Sequence, residues 1–188
     1  MAMSKKFVLC LWLLLVFLCV GVYLNKPELF QPEILRQLFS GNLLSAALVY
    51  LVLGTLRGLT LVPLTPLLLA GVLVFPPVLL FVINAIVIVT SSTIVYYWGR
   101  YLGFDQVFAQ KYPEQLNKLS QSLKKKELLV CTLWSFFPLV PTDMICYASS
   151  VLRVRLWKCL VGVSLGENVI CAVYIFGGNM LLTAMNSF

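Results

Sequence analysis

Long apolar runs, separated by short polar segments, extend along most of the chain. Residues 7–24 and 78–98 carry no charged side chain, and residues 159–182 carry one, Glu167. Apolar and polar positions do not alternate within these runs, which favours helices over the strands of a membrane barrel. As a helix, residues 78–98 would extend about 31 Å, close to the hydrocarbon thickness of a bilayer. The pattern therefore predicts three transmembrane helices.

Two further apolar segments, residues 43–75 and 128–152, are each broken at the centre by a Pro-Leu-x-Pro sequence. The four prolines at the predicted tips are Pro63 and Pro66 in the first segment and Pro138 and Pro141 in the second. The arms on either side of each break are short for a membrane crossing, and one full span lies between the two segments. The sequence therefore predicts an all-α integral membrane protein, an inverted repeat with two opposed re-entrant helical hairpins plus full transmembrane helices. Two ordinary proline-kinked helices are the alternative.

The N-terminal part, residues 1–42, reads as a unit distinct from the membrane domain at 43–188. Its apolar run follows two lysines and is interpreted as a retained signal-anchor helix, with a cleaved signal peptide as the alternative. Pro32 followed by Glu33 predicts a short interfacial helix after this run, since proline suits the first helical position and a carboxylate suits the first turn.

Charge gives the chain a predicted orientation. Hydrophobic residues make up 61% of the sequence and charged residues only 11%, yet the net charge is +7. Lysines and arginines concentrate in residues 104–127 and 153–158. The first of these polar segments also has leucines three and four residues apart, which predicts an amphipathic surface helix. By the positive-inside rule, both segments and the N-terminus are cytoplasmic, and the basic clusters face anionic lipid headgroups rather than nucleic acid.

The residue types needed for enzymatic chemistry are sparse. The chain has no histidine, and its six cysteines form no Cys-x-x-Cys pair. This excludes a His-based metal site and a Cys–His catalytic pair, and it leaves no motif for a cofactor. The cysteines are interpreted as small buried apolar residues. We therefore expect a protein that is not an enzyme and binds neither metal nor cofactor.

Three ionisable residues, Arg57, Asp143 and Glu167, interrupt the apolar segments. A charge at mid-membrane costs about 2.5–3.5 kcal/mol on insertion scales, so such residues usually face protein or a water-filled cavity. We expect them to converge on a polar path for a lipid headgroup, with Arg57 binding a phosphate. The alternatives are an interfacial position for Arg57, helix capping by Thr142 or Asp143, and a structural ion pair or a protonated carboxyl for Glu167.

Several motifs resemble the DedA family, also called the SNARE-associated or VTT-domain family. They are "LRGLTLVP", "YYWGRYLG", the two proline pairs and "PTDMICYASS", and the resemblance covers roughly residues 45–180. It implies a transporter or scramblase of phospholipids or polyprenyl phosphates, with two facing re-entrant hairpins. Ser135 and Ser150 stand where the family often has arginine and glycine, and Ser135 is included in the candidate site. Acidic residues that some members carry in the first repeat are absent, which puts proton coupling in doubt.

The predicted function is a lipid translocase, either a flippase or a scramblase, whose partners are membrane lipids with anionic headgroups. A proton-coupled antiporter of small ions or drugs and a non-transporting membrane scaffold are the alternatives. The expected location is the cytoplasmic (inner) membrane of a bacterium. The sequence leaves proton coupling and assembly into a homo-oligomer open.

Overall fold

The computed structural model is built from helices. It describes residues 2–37, 39, 42–103, 114, 120–121, 126–137 and 141–185. No β-strand occurs among these residues. The helices are α1 (Ala2–Asn25), α2 (Pro32–Gln37), α3 (Leu43–Arg57), α4 (Thr65–Val72), α5 (Pro77–Leu102), α6 (Glu127–Ser135), α7 (Asp143–Val151) and α8 (Leu156–Met185). The prediction of an all-helical protein is confirmed.

Three helices in the described part of the chain are long and apolar enough to cross a membrane. They are Phe7–Asn25 in α1, Pro77–Leu102 in α5 and Leu156–Gly178 in α8. Each contains most of one predicted apolar run. The bounds of α5 have clear causes, because Pro77 occupies its first turn and Gly103, with a left-handed φ of 74°, ends it. The three predicted long helices are therefore present.

The two proline-containing segments are broken helices. In the first broken segment, α3 ends at Arg57 and α4 begins at Thr65; in the second, α6 ends at Ser135 and α7 begins at Asp143. Helix α4 has 8 residues, and α6 and α7 have 9 each. At 1.5 Å per residue these helices are about 12–14 Å long, less than half the hydrocarbon thickness of a bilayer.

The long helices α5 and α8 contact each other and divide the broken segments between them. Helix α5 packs on α3 and α7, whereas α8 packs on α6 and α4. Glycines allow α3 to approach α5 closely, and α6 to approach α8. A Cβ atom added at Gly54 of α3 would lie 2.6 Å from Val87 of α5, and one added at Gly162 of α8 would lie 2.6 Å from Cys131 of α6. Glycine thus allows these helices to pack closely. Close packing stabilises helix association in a membrane, where the surrounding lipid provides little hydrophobic driving force.

Helix α1 lies at the edge of the structure, and most of its apolar side chains are exposed. Between Phe7 and Asn25, Trp12 is the buried residue, and its indole Nε1 donates a hydrogen bond to the carbonyl oxygen of Leu59, 2.9 Å away. Near the C-terminal end of α1, the Tyr23 ring contacts the ring of Phe30, with 5.0 Å between centroids. An exposed apolar helix of this length suits a lipid environment.

The remaining sequence expectations differ in their outcomes. The short helix expected after Pro32 is α2, with Glu33 in its first turn. The predicted amphipathic helix at 104–127 falls almost entirely outside the described part of the chain. Four of the six cysteines are buried as expected, but on α1 Cys10 is exposed and Cys19 is only half-buried, because much of this helix has no packing partner among the described residues. Helix α8 begins at Leu156, so it includes part of the segment expected to be a polar connection.

Candidate functional site

The three ionisable residues singled out in the sequence come together at one point. The Nη1 atom of Arg57 lies 2.9 Å from the Asp143 Oδ2 atom, and its Nη2 atom lies 3.6 Å from the Glu167 Oε1 atom. The residues come from the end of α3, the start of α7 and the middle of α8. The broken segments and a long helix therefore each contribute one charge to this cluster.

Glycine at position 58 lets the end of α3 approach the cluster. A Cβ atom there would collide with the Ser91 hydroxyl and would lie 2.9 Å from the Asp143 Oδ1 atom. Because the side chain is absent, Ser91 and Asp143 lie close enough for a hydrogen bond of 3.5 Å. Gly166 has a similar role beside Glu167, since an added Cβ would lie 2.6 Å from the carbonyl oxygen of Thr132.

The Arg57 guanidinium is buried but not fully hydrogen-bonded. Its Nη1 atom also donates to the carbonyl oxygen of Val62 at 3.2 Å, whereas Nε has no hydrogen-bond partner among the described residues. The side chain is only 9% exposed. A buried donor without a partner costs about 1–3 kcal/mol, and an arginine fork suits the oxygens of phosphate or carboxylate. The cluster thus has an unused donor that an anionic ligand could satisfy.

A cavity of about 100 Å³ adjoins the cluster. Its lining includes Arg57 and Glu167 together with five of the other residues predicted for the site or adjacent to it: Pro63, Thr65, Ser135, Pro141 and Thr142. Leu68, Ile170 and Tyr174 are among the remaining walls. The ends of both broken segments and the inner face of α8 therefore enclose one small space that has a charged wall and an apolar wall.

The other predicted site residues have different positions. Asp143 pairs with Arg57, but it is not among the residues that line this cavity. Pro66 lines a separate apolar cleft between α1 and the first broken segment. Pro138 lies outside the described residues. The Ser135 hydroxyl donates to the carbonyl oxygen of Cys131 at 2.8 Å, so its oxygen keeps acceptor capacity toward the cavity.

Two alternatives raised by the sequence are wrong and one is supported. Thr142 precedes α7 without a side-chain capping bond, and Asp143 is the first helical residue, whose carboxylate bonds Arg57 and Ser91 instead. Arg57 does not extend to an exposed interface, since its side chain is buried. The ion pair between Glu167 and Arg57 is present. Asp143 nevertheless suits the start of a helix, where the dipole favours a negative charge.

Sequence reasoning missed a second group of buried polar residues. The Tyr50 hydroxyl donates to the Asn84 Oδ1 atom at 2.9 Å, and both residues are fully buried. Asn84 lies within the longest uncharged run, and polar residues are rare at such a position unless they have a partner or a function. This isolated asparagine was the signal that would have found the pair. Ser91, which sequence reasoning also missed, is a buried residue of the same helix, α5.

Comparison with known protein families gives one match. A family model of the VTT domain matches residues 62–180, more than half of the chain. The match includes Asp143 and Glu167 and begins just after Arg57. No curated protein and no solved structure matches the chain. With its apolar helices and this match, the chain belongs to the VTT-domain family of membrane proteins, also called the DedA or SNARE-associated family.

Proposed function

We propose that the protein is a lipid translocase, a flippase or scramblase that moves the headgroup of a phospholipid or polyprenyl phosphate between the two leaflets. The observation that carries the proposal is the Arg57–Asp143–Glu167 cluster, in which a buried guanidinium has an unused donor beside a cavity. Charges are expensive at membrane depth and are tolerated where they face protein or water. The substrates we propose are membrane lipids with anionic headgroups, and we assign no enzymatic step and no cofactor.

The proposal includes two opposed re-entrant hairpins, at about 43–75 and 128–152, related as an inverted repeat. Helices α4, α6 and α7 are too short to cross a bilayer alone. The helix contacts support the repeat, since each long helix packs on the first arm of the hairpin before it and on the second arm of the other hairpin. One crossing, α5, separates the hairpins in the chain. Their tips would then meet from opposite sides at Arg57 and Asp143.

The charges also suggest how the path opens. The cavity of about 100 Å³ is smaller than the ~300–1,000 Å³ of typical small-molecule sites, so a headgroup enters only if the tips separate. A lipid phosphate that reaches Arg57 competes with Asp143 and Glu167 for the same guanidinium. Because the phosphate replaces the lost carboxylate contacts, the guanidinium keeps an anionic partner while the tips move apart.

Movement of a fluorescent phospholipid between the two leaflets of proteoliposomes tests the function. Arg57→Ala and Asp143→Asn should each reduce the rate strongly, and Arg57→Lys should recover only part of it, since lysine lacks the bidentate fork. Arg36→Ala is the matched control, because Arg36 is exposed on α2. Wild-type rates in both the Arg57→Ala and Asp143→Asn variants would refute the site, provided that gel filtration shows folded protein.

A second candidate is a proton-coupled antiporter of small ions or drugs. Two carboxylates face one guanidinium in the cluster, so one acidic group is in excess and could carry a proton. Ion flux in proteoliposomes without lipid movement would favour this candidate. A wild-type protein that moves neither lipid nor ions but retains a stable partner would favour a scaffold.

For location, we propose the cytoplasmic membrane of a bacterium, with the N-terminus on the cytoplasmic side. The support is the distribution of lysine and arginine, which places the basic clusters together on one side of this topology. Mass measurement of the protein in detergent or lipid particles would determine the oligomeric state.

A further inference from the structure

An apolar cleft of about 440 Å³ separates α1 from the first broken segment. One wall is the face of α1 that carries Leu18, Cys19 and Val22, and the opposite wall includes Leu53, Leu56 and Leu67. Thr60 and Arg57 are the two polar residues of its lining. This volume lies in the range of small-molecule sites, about 300–1,000 Å³, although its lining offers few hydrogen-bonding groups.

The cleft lies between the two attachments of α1. Trp12, near the middle of the helix, donates the hydrogen bond to Leu59, and Tyr23, near the C-terminal end, contacts the Phe30 ring. Val22 remains 37% exposed between these attachments, although it faces the rest of the protein across the cleft. Helix α1 therefore makes contacts at these two positions, and the cleft separates it from α3 between them.

Arg57 connects this cleft with the polar cavity, because its side chain lines both spaces. The guanidinium is buried, and its Nε atom has no hydrogen-bond partner among the described residues. A ligand that satisfies both spaces needs an anionic group at Arg57 and a hydrocarbon part that extends past Leu56 toward Val22. A free phosphate would leave the cleft unexplained, whereas a lipid has both parts.

We propose that the cleft between α1 and the first broken segment binds one hydrocarbon chain of the lipid whose headgroup Arg57 contacts. The proposal rests on the proposed function and adds the part of the substrate that the protein recognises outside the charged cluster. It also gives α1, which lies outside the matched domain, a part in substrate binding. Because a lipid chain reaches the cleft from bilayer hydrocarbon rather than from water, its binding there depends on van der Waals contacts with the cleft walls.

Photocrosslinking tests the chain position directly. The probe is a phosphatidic acid with a diazirine midway along one acyl chain, added to the protein in vesicles of uncharged lipid. Adducts should concentrate on Leu18, Cys19, Val22 and the facing leucines of α3. Equal labelling of Phe17, which is 80% exposed on another part of α1, would overturn the proposal, because it would indicate surrounding lipid only.

A blocked cleft provides the second test, with Val22→Trp as the variant and Phe17→Trp as its control. The indole would occupy the space of the lipid chain, so we expect about a tenfold drop in probe adducts and lipid movement for Val22→Trp alone, which is equivalent to about 1.4 kcal/mol of binding. Wild-type behaviour of folded Val22→Trp, together with impaired movement by Arg57→Ala, would overturn the chain site but leave the proposed function intact.

The remaining outcomes separate lipid from free anion and chain binding from transport. Inorganic phosphate could displace the probe, bind Val22→Trp and wild type equally, and leave no enrichment of adducts in the cleft. In that case the ligand is a free anion and the proposal fails. If wild type moves no lipid but its adducts still concentrate in the cleft and disappear in Val22→Trp, the proposed function fails while the chain site stands.

Discussion

Replacing Gly58 with alanine should force the end of α3 away from the charged cluster. The glycine has ordinary helical dihedral angles, φ −57° and ψ −28°, so the backbone accepts alanine without strain. The obstacle is space. A Cβ there would collide with the Ser91 hydroxyl and would lie 2.9 Å from both the Asp143 Oδ1 atom and the Val95 Cγ2 atom.

These neighbours differ in how easily they can move. The Ser91 hydroxyl can rotate, but valine on a helix has one strongly preferred rotamer, and Asp143 is held by Arg57. Relief therefore requires a shift of backbone or of the ion pair. Overpacking of this kind costs about 1–3 kcal/mol, which corresponds to a roughly 5- to 150-fold change in the unfolding equilibrium. We expect lower stability and slower lipid movement.

Unfolding of the micelle-solubilised protein by titration with a denaturing detergent would measure the loss. Gly177→Ala is the matched control, since nothing lies within 4 Å of a Cβ at that helical position, and alanine there should be neutral or stabilising by up to about 1 kcal/mol. Ser91→Ala should recover part of the loss, because it removes the nearest atom. A Gly58→Ala variant as stable as the Gly177→Ala variant would refute the steric argument.

Three other predictions address topology and the buried polar groups. In a cysteine-free background, single cysteines at Gln31 and Arg155, both exposed, should react with an impermeant reagent from opposite sides of the membrane, and labelling of both from one side would contradict the orientation. A cysteine at Thr142, beside the cavity, should react with soluble reagents, whereas one at the buried Val87 should not, and equal protection of the two would favour ordinary kinked helices. Tyr50→Phe should lower the free energy of unfolding by about 1–3 kcal/mol, as measured by the same denaturing titration, because it leaves a buried amide oxygen unpaired; an unchanged value would indicate that water replaces the hydroxyl.

The sequence predicts the helices well because their signals are local. Apolar runs of sufficient length identify α5 and α8, and prolines identify the breaks near Thr65 and Pro141. Convergence of the charged residues could be expected because isolated charges are expensive in an apolar segment. Helix capping was less predictable from the sequence. Asp143 could either cap α7 or bind another charged group, and the choice depends on Arg57, which is distant in sequence.

Features that depend on the distance between helices could not be predicted from one sequence. The cleft beside α1 exists because Trp12 and Tyr23 make contacts while the residues between them do not close the gap. Nothing in the apolar run distinguishes Val22, which faces the cleft, from Phe17, which does not. An apolar side chain is equally suited to a protein core, to lipid or to a bound hydrocarbon chain, so periodicity alone cannot separate these environments.

The energetics of buried charges make a closed ion cluster compatible with the transport function that we propose. Removing charges from water is costly, and the attraction of a buried pair often does little more than offset this cost, so the contact of Arg57 with Asp143 is weak evidence for stability. Leaving either charge unpaired in the interior is much more costly. The cluster therefore resists opening when no ligand is present. In the transport that we propose, an anionic headgroup would remove that resistance because it would supply a new partner for Arg57, and water entering with the headgroup would solvate the released carboxylates.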